Sequence, residues 1–189
     1  MNCIIVHGSD QNDLEAIKKG IPPQNKRHWI PWIKNALEGK GIKTDAPLMP
    51  KNWAPSYGEW KEVFEKLDVN ENTVLVGHSV GAGFLVRWLG ESEKKVKKLI
   101  LISPAILHSG YFGWLKSIIN FKINKGIPTF VGRIIIFSSD NDMEGIKEAV
   151  EIYSKELNVK PIELKNKGHF LIQEMGTEEF PELLDEIIK

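Results

Sequence analysis

The stretch Thr73-Val74-Leu75-Val76-Gly77-His78-Ser79-Val80-Gly81-Ala82-Gly83 constrains the fold more than any other part of the chain. Its first four residues are β-branched or apolar without a break, as in a strand covered on both faces. A helical pattern over 82–90 follows almost at once. A strand that passes into a helix through so short a turn must bend sharply, and Gly77 and Gly81 leave the crowded positions on either side of the bend free of side chains. Ser79 stands at the apex. A hydroxyl held there projects above the carboxyl edge of a sheet, exposed as a nucleophile must be. The backbone amide of Val80, near the start of the helix, can donate to a developing oxyanion with the helix dipole behind it. Three fixed residues in five recur by chance, so the pattern takes its meaning from lying between a buried-type strand and a helix. The alternative for the same residues is a glycine-rich turn that binds phosphate.

The rest of the chain keeps the same rhythm. Strands are expected at 3–6, 42–46, 73–76, 99–102, 133–137 and 160–164. Helical spacing joins Trp29, Ile30, Ile33, Ala36 and Leu37, and again Trp60, Val63, Phe64 and Leu67. Further helices are expected at 82–90, 143–157 and 180–188. Strand–helix alternation implies βαβ units with right-handed crossovers. The expected architecture is a three-layer α/β/α sandwich of about six parallel strands in one domain, 1–189. One segment, 106–130, is too long for an ordinary connection and carries Tyr111, Phe112, Trp114 and Phe121 among lysines. It reads as a partly helical, cap-like insertion over the carboxyl ends of the strands, where ligands bind in open α/β sheets. Trp114 is its candidate for the substrate pocket.

Composition removes several function classes. Lysine plus arginine is 25 and aspartate plus glutamate is 25, a balance that argues against a nucleic-acid binder. Cys3 is the sole cysteine, so no intrachain disulfide forms, and its apolar surroundings mark it as a small core residue. No apolar run approaches the roughly 18 residues that span a bilayer. Met1-Asn2-Cys3-Ile4-Ile5-Val6-His7-Gly8 lacks the basic start and long apolar stretch of a signal peptide, which leaves the cytoplasm as the expected compartment.

A serine hydroxyl needs a base. Of the five histidines, His169 in Asn166-Lys167-Gly168-His169-Phe170 is best placed, just past the last strand and on the same sheet edge as Ser79. The base in turn needs a carboxylate. Ile134-Ile135-Ile136-Phe137-Ser138-Ser139-Asp140-Asn141-Asp142 runs a strand into an acidic loop at that edge. Asp140 and Asp142 both qualify; Asp142 is favoured because the chain must turn before the acid points inward. The spacing of Asp140, Asp142, Glu144 and Glu151 superficially suits a calcium loop, but a strand precedes it instead of a helix, so no metal is expected. The second oxyanion donor is expected from the turn after the first strand, His7-Gly8-Ser9-Asp10, with the amide of Ser9 as the candidate. His7 and His78 flank these turns and read as packing or hydrogen-bonding residues, His78 also as a candidate for the pocket wall. Gly39-Lys40-Gly41 precedes a strand instead of following one and reads as a helix end, not a phosphate loop.

Taken together these residues resemble the small serine hydrolases of the retinoblastoma-binding protein nine and YdeN type. The similarity lies in Ile4-Ile5-Val6-His7-Gly8, His28-Trp29-Ile30-Pro31-Trp32-Ile33-Lys34, Pro47-Leu48-Met49-Pro50, Trp60, Gly77-His78-Ser79-Val80-Gly81, Asp142 and Gly168-His169-Phe170. The separations agree as well: 142 − 79 = 63 and 169 − 142 = 27. The resemblance covers most of the chain outside 106–130, and the tryptophan-bearing helix is its more specific part. It implies a reduced α/β-hydrolase fold with Ser79, Asp142 and His169 as the triad. The chain departs from the pattern at Met143, where relatives often carry proline, and at Ser9-Asp10. The resulting expectation is a serine hydrolase that acts through an acyl-enzyme on a small ester, thioester or amide, without metal or organic cofactor. Its partner is a small-molecule substrate, not nucleic acid or membrane, and no protein partner is indicated. Two rivals stand beside it. One is a catalytically weak or inactive protein-binding module on the same fold, with the aromatic insertion as contact surface. The other is an enzyme that passes the acyl group to an acceptor other than water.

Overall fold

Alternation of side chains across a strand requires that both faces of a parallel sheet be covered, and the apolar runs find that cover. The computed structural model describes residues 1–108 and 112–189. Six strands, β1 (Asn2–Val6), β2 (Lys43–Asp45), β3 (Thr73–His78), β4 (Val96–Ile102), β5 (Val131–Ser139) and β6 (Ile162–Leu164), form one sheet in the order β2-β1-β3-β4-β5-β6. All five pairings are parallel. Eight α-helices are described: α1 (Asp13–Lys18), α2 (Ile30–Glu38), α3 (Tyr57–Phe64), α4 (Val80–Ser92), α5 (Lys116–Ile119), α6 (Glu144–Leu157), α7 (Ile172–Met175) and α8 (Pro181–Ile188).

Period two along the strands sorts the core into two clusters. Ile4, Val6, Leu75, Leu99 and Leu101 pack with Trp60 and Phe64 of α3, Phe84 and Trp88 of α4 and Tyr153 of α6. Cys3, Ile5, Val74, Val76, Ile100 and Ile102 pack on the other face with Trp29, Ile30 and Ile33 at α2 and Leu183 and Ile187 of α8. The chain therefore has the three layers expected of it, in a reduced α/β-hydrolase fold. Burial also raises the Cys3 thiol far above its ordinary range, as befits a core residue.

β4 and β5 start earlier than their apolar runs suggest, because lysines and an arginine interrupt the pattern there. Lys98 is buried in β4 all the same. Its Nζ donates to the carbonyls of Glu186 (2.8 Å) and Ile187 (3.3 Å) at the end of α8, a favourable place for a cation.

Much of the segment at 106–130 does more than an insertion over the strand ends would. β4 ends at the carboxyl edge of the sheet and β5 begins at the amino edge, so the chain between them must travel the length of the sheet. It descends beside α4. Ile118, Ile119, Ile123 and Ile127 are buried in the core on that face. Arg87 of α4 donates to the carbonyls of Ser117 and Ile118, and Asn124 donates to that of Gly90. The helical pieces from 115 onward thus cover a face of the sheet, while Trp114 of the same segment lines the cavity at the strand ends. Tyr111, named with this segment, lies outside the described residues.

Strand order sets where a ligand can enter. β1 leads outward to β2, whereas β3 leads the other way to β4, and β1 and β3 are neighbours with Val6 opposite Gly77. The connections leaving their carboxyl ends diverge, which opens a crevice at this switch point. Among the described residues, no helix is long and apolar enough to cross a membrane.

Candidate active site

Ser79 sits at that crevice with φ 54° and ψ −117°, a conformation a serine keeps only when its surroundings impose it. Four backbone bonds do so. Its amide donates to the carbonyl of Ile102 at 2.9 Å, and its carbonyl accepts from the amides of Ala82, Gly83 and Ala105 at 3.1, 3.2 and 3.1 Å. The flanking glycines are obligatory for steric reasons. A Cβ on Gly77 would meet the backbone of Ala82, and one on Gly81 the carbonyls of Val6 and His7, all closer than 3.0 Å. Val80 opens α4, so its amide has no carbonyl one turn back and is free to donate outward.

Asp142 and His169 meet side chain to side chain. His169 Nδ1 lies 3.1 Å from Asp142 Oδ1 and 3.3 Å from Oδ2, and the carboxylate is almost wholly buried. Oδ1 also accepts the Met143 amide at 2.7 Å, and Oδ2 accepts the Ser103 hydroxyl at 2.5 Å. A carboxylate at Nδ1 keeps the proton on that nitrogen and leaves Nε2 as the basic one.

The loop that carries His169 is bound amide by amide to the acidic loop. Asp140 Oδ1 accepts from Asn166 N (2.8 Å), Ser139 Oγ from Lys167 N (3.0 Å) and Asn141 Oδ1 from Gly168 N (2.8 Å). Glu174 Oε2 accepts the His169 amide itself at 2.5 Å. Asp140, the other acid weighed from the sequence, is thus a loop anchor, and Asp142 is the one that reaches the imidazole.

The remaining histidines near the site are neutral supports. His78 is buried, which drives its pKa well below the usual value, with the neighbouring His169 adding to the effect. Its Nε2 lies 2.8 Å from the His169 carbonyl, so the neutral ring donates there and fixes the backbone of the base. His7 is held near pKa 4 by burial; its Nε2 accepts the Met49 amide at 2.9 Å, and Nδ1 bonds to the Gly8 carbonyl. His28, to which the sequence assigned no role, is lowered to about 4 by burial and by Arg27. Its Nδ1 accepts the Ile172 amide at 3.1 Å, so a neutral His28 carries its proton on Nε2.

Ser79, His78, His169 and His28 line one cavity of about 590 Å³. Among the described residues Ser79 Oγ makes no hydrogen bond. A contact between nucleophile and base often tightens only when substrate binds. Gly8 and Ser9 complete the floor, and Ser9 Oγ is buried without a partner among the described residues. Trp114 reaches the rim and is 38% exposed. The wall itself is the β1–α2 connection, which contributes Asp10, Gln11, Asn12, Ile21, Gln24 and Arg27. Arg27 Nη2 pairs with the buried Asp13 at 2.7 Å, Nη1 lies 4.0 Å from Asp10, and Nε donates to the Pro22 carbonyl. Sequence reasoning missed this wall, and with it Ser103, His28 and Glu174. Among the described residues no group of three or more His, Cys, Asp or Glu side chains is placed to hold a metal ion.

The family model described as serine hydrolase matches residues 16–188. The Bacillus subtilis (strain 168) protein YdeN is 26% identical over 161 residues, covering 82% of this chain and 84% of YdeN. The crystal structure of YdeN superposes with a TM-score of 0.85 at 21% identity, over 99% of this chain and 96% of that one. Est1E from Butyrivibrio proteoclasticus gives 0.63 at 18% identity over 98% and 87%. Carboxylesterase CesB from Bacillus subtilis gives 0.52 at 14% over 99% and 82%. The structural likenesses establish a shared fold.

Proposed function

The chain belongs to the serine hydrolase family, and from that premise we propose that it hydrolyses a small ester, thioester or amide through an acyl-enzyme on Ser79. The observation that carries the proposal is that His169, 3.1 Å from the buried Asp142 carboxylate, lines the same cavity as a serine held at positive φ.

Ser79 Oγ attacks the carbonyl carbon while His169 Nε2 accepts its proton. Asp142 holds the Nδ1–H and balances the imidazolium that forms. The oxyanion is received by the amides of Val80 and Ser9, one from a helix start and one from the turn after β1. Collapse of the tetrahedral intermediate expels the leaving group, which takes the proton from His169, and the acyl group stays on Ser79. Water then attacks the acyl-enzyme with His169 again as base, and Ser79 regains its proton on release of the acid.

The cavity wall is mixed in character. Asp10, Gln11, Asn12, Gln24, Arg27 and Gln173 offer hydrogen bonds, and Ala16, Ile21, Leu171 and Trp114 offer apolar contact, so both kinds of group can be recognised. The test is hydrolysis of short-chain p-nitrophenyl esters. Ser79→Ala is expected to lower turnover by about 10⁶-fold. Turnover within tenfold of the parent would remove Ser79 from the nucleophile's role.

A further inference from the structure

We infer that Ser103 is a positioning residue for the acid–base pair: its hydroxyl pins the Asp142 carboxylate in the orientation that meets His169. The inference rests on the roles of Ser79, Asp142 and His169 proposed above and adds a fourth side chain to them.

Ser103 follows β4 directly and is fully buried. β4 lies beside β5 with Ile102 opposite Phe137, and the Ser103 amide donates to the Phe137 carbonyl at 3.0 Å. This register sets the serine beside the loop that leaves β5, and its Oγ lies 2.5 Å from Asp142 Oδ2. A carboxylate can rotate about its last bond. Here both oxygens are held, Oδ1 by the Met143 amide at 2.7 Å and Oδ2 by Ser103. Two fixed points define the carboxylate plane, and His169 Nδ1 meets its edge at 3.1 and 3.3 Å. Short bonds of this kind to an ionised acceptor are stronger than neutral ones.

The backbone at Ser103 supports the same reading. Its φ is 44°, in the left-handed region where serine is disfavoured and glycine is at ease. If the position served packing or chain direction alone, glycine would fill it with less strain. What serine adds is the hydroxyl. Two residues on, the Ala105 amide donates to the Ser79 carbonyl at 3.1 Å. Ser103, Pro104 and Ala105 therefore tie the acid to the nucleophile's turn.

The experiment uses the full chain with Ser103→Ala and Ser103→Gly. Turnover of p-nitrophenyl acetate is normalised to the sites titrated at completion by a fluorophosphonate, so that misfolded molecules are not counted. The His169 Nδ1–H is followed by proton NMR with ¹⁵N-labelled histidine. Both variants are expected to lose on the order of 10–100-fold in kcat, the range seen when outer partners that orient metal-bound histidines and carboxylates are removed, with KM changed less than about threefold. The far-downfield Nδ1–H resonance should move or broaden. Ser103→Gly should unfold at a temperature no lower than Ser103→Ala, since glycine suits the backbone. A kcat per titrated site and a resonance both equal to the parent's, while Ser79→Ala is inactive, would overturn the role of Ser103 and leave the hydrolase reading standing. Hydrolysis that survives Ser79→Ala would overturn that reading itself.

Discussion

The floor of the cavity and its wall are built on opposite principles. The floor is backbone against backbone: α4 buries nine residues from Val80 to Leu89, and Gly77 and Gly81 leave no room for a methyl group. The wall hangs on charges. α1 buries a single residue, Asp13, and holds to the rest through its pair with Arg27, while Leu14, Ile17 and Ile21 are 39%, 37% and 46% exposed. Positions in the floor can therefore set chemistry to a fraction of an ångström, whereas positions in the wall can change partners at small cost to the fold. Catalytic geometry demands the first, and variation of substrate uses the second.

Lesions in the two regions should differ in kind. The largest effect is expected at the floor's chemistry: Asp142→Asn leaves the fold intact and lowers kcat on a p-nitrophenyl ester by about 10⁴-fold, through loss of the correct imidazole tautomer. Next comes the floor's packing. Gly81→Ala drives a methyl group into the carbonyls of Val6 and His7 and should cost about 3 kcal/mol or more in a urea melt. Ile17→Ser on the wall, by contrast, should stay within about 0.5 kcal/mol. A large loss from Ile17→Ser would erase the distinction.

Breaking the wall's anchor gives a smaller, local effect. Asp13→Ala leaves Arg27 without its 2.7 Å partner and should lower the opening free energy of residues 9–28 by about 1–3 kcal/mol, read by amide hydrogen exchange. Exchange in β3 and α4 should not change. KM should rise more than kcat falls, because the wall lines the cavity and the nucleophile's turn is held by other contacts.

The pH response is more gradual. His7 and His28 are held near pKa 4 and His78 well below its ordinary value, in each case chiefly by burial. The unfolded chain binds protons at these residues near pH 6.5 and the native one does not, so stability is full above about 6.5 and falls as the pH drops toward 4. Each histidine contributes a slope of up to about 1.4 kcal/mol per pH unit in that window. The melting temperature should fall accordingly, and His7→Gln should flatten the curve by one histidine's share. A curve equally steep in His7→Gln would show that His7 is not buried neutral.

The same contrast explains what could be read from the sequence. The floor was legible because its constraint is steric and periodic: uninterrupted apolar strands, glycines two residues on either side of Ser79, a histidine and acids in the loops beyond later strands. The wall was not. α1 has six residues, too few for helical spacing to show, and its exposed Leu14 and Ile17 obscure which side faces the core. Ser103 is a lone serine at a strand end, and nothing in its neighbours announces a bond to Asp142, 39 positions away. Segment 106–130 was legible in part: its aromatic residues suggest a cap, and Trp114 does line the cavity, but the parallel topology also obliges the chain to descend a face of the sheet, which no local pattern announces. Asp140 and Asp142 differ by two positions and a turn; only the packed loops show that one holds a backbone amide and the other the imidazole.

The central claim is that the Ser79 hydroxyl bonds to the substrate carbon. Intact-protein mass spectrometry after fluorophosphonate treatment tests it directly, with the modified peptide mapped by fragmentation. One adduct per chain on Ser79, absent from Ser79→Ala, is the result expected. An adduct at another residue, or an unchanged yield in Ser79→Ala, would contradict the account.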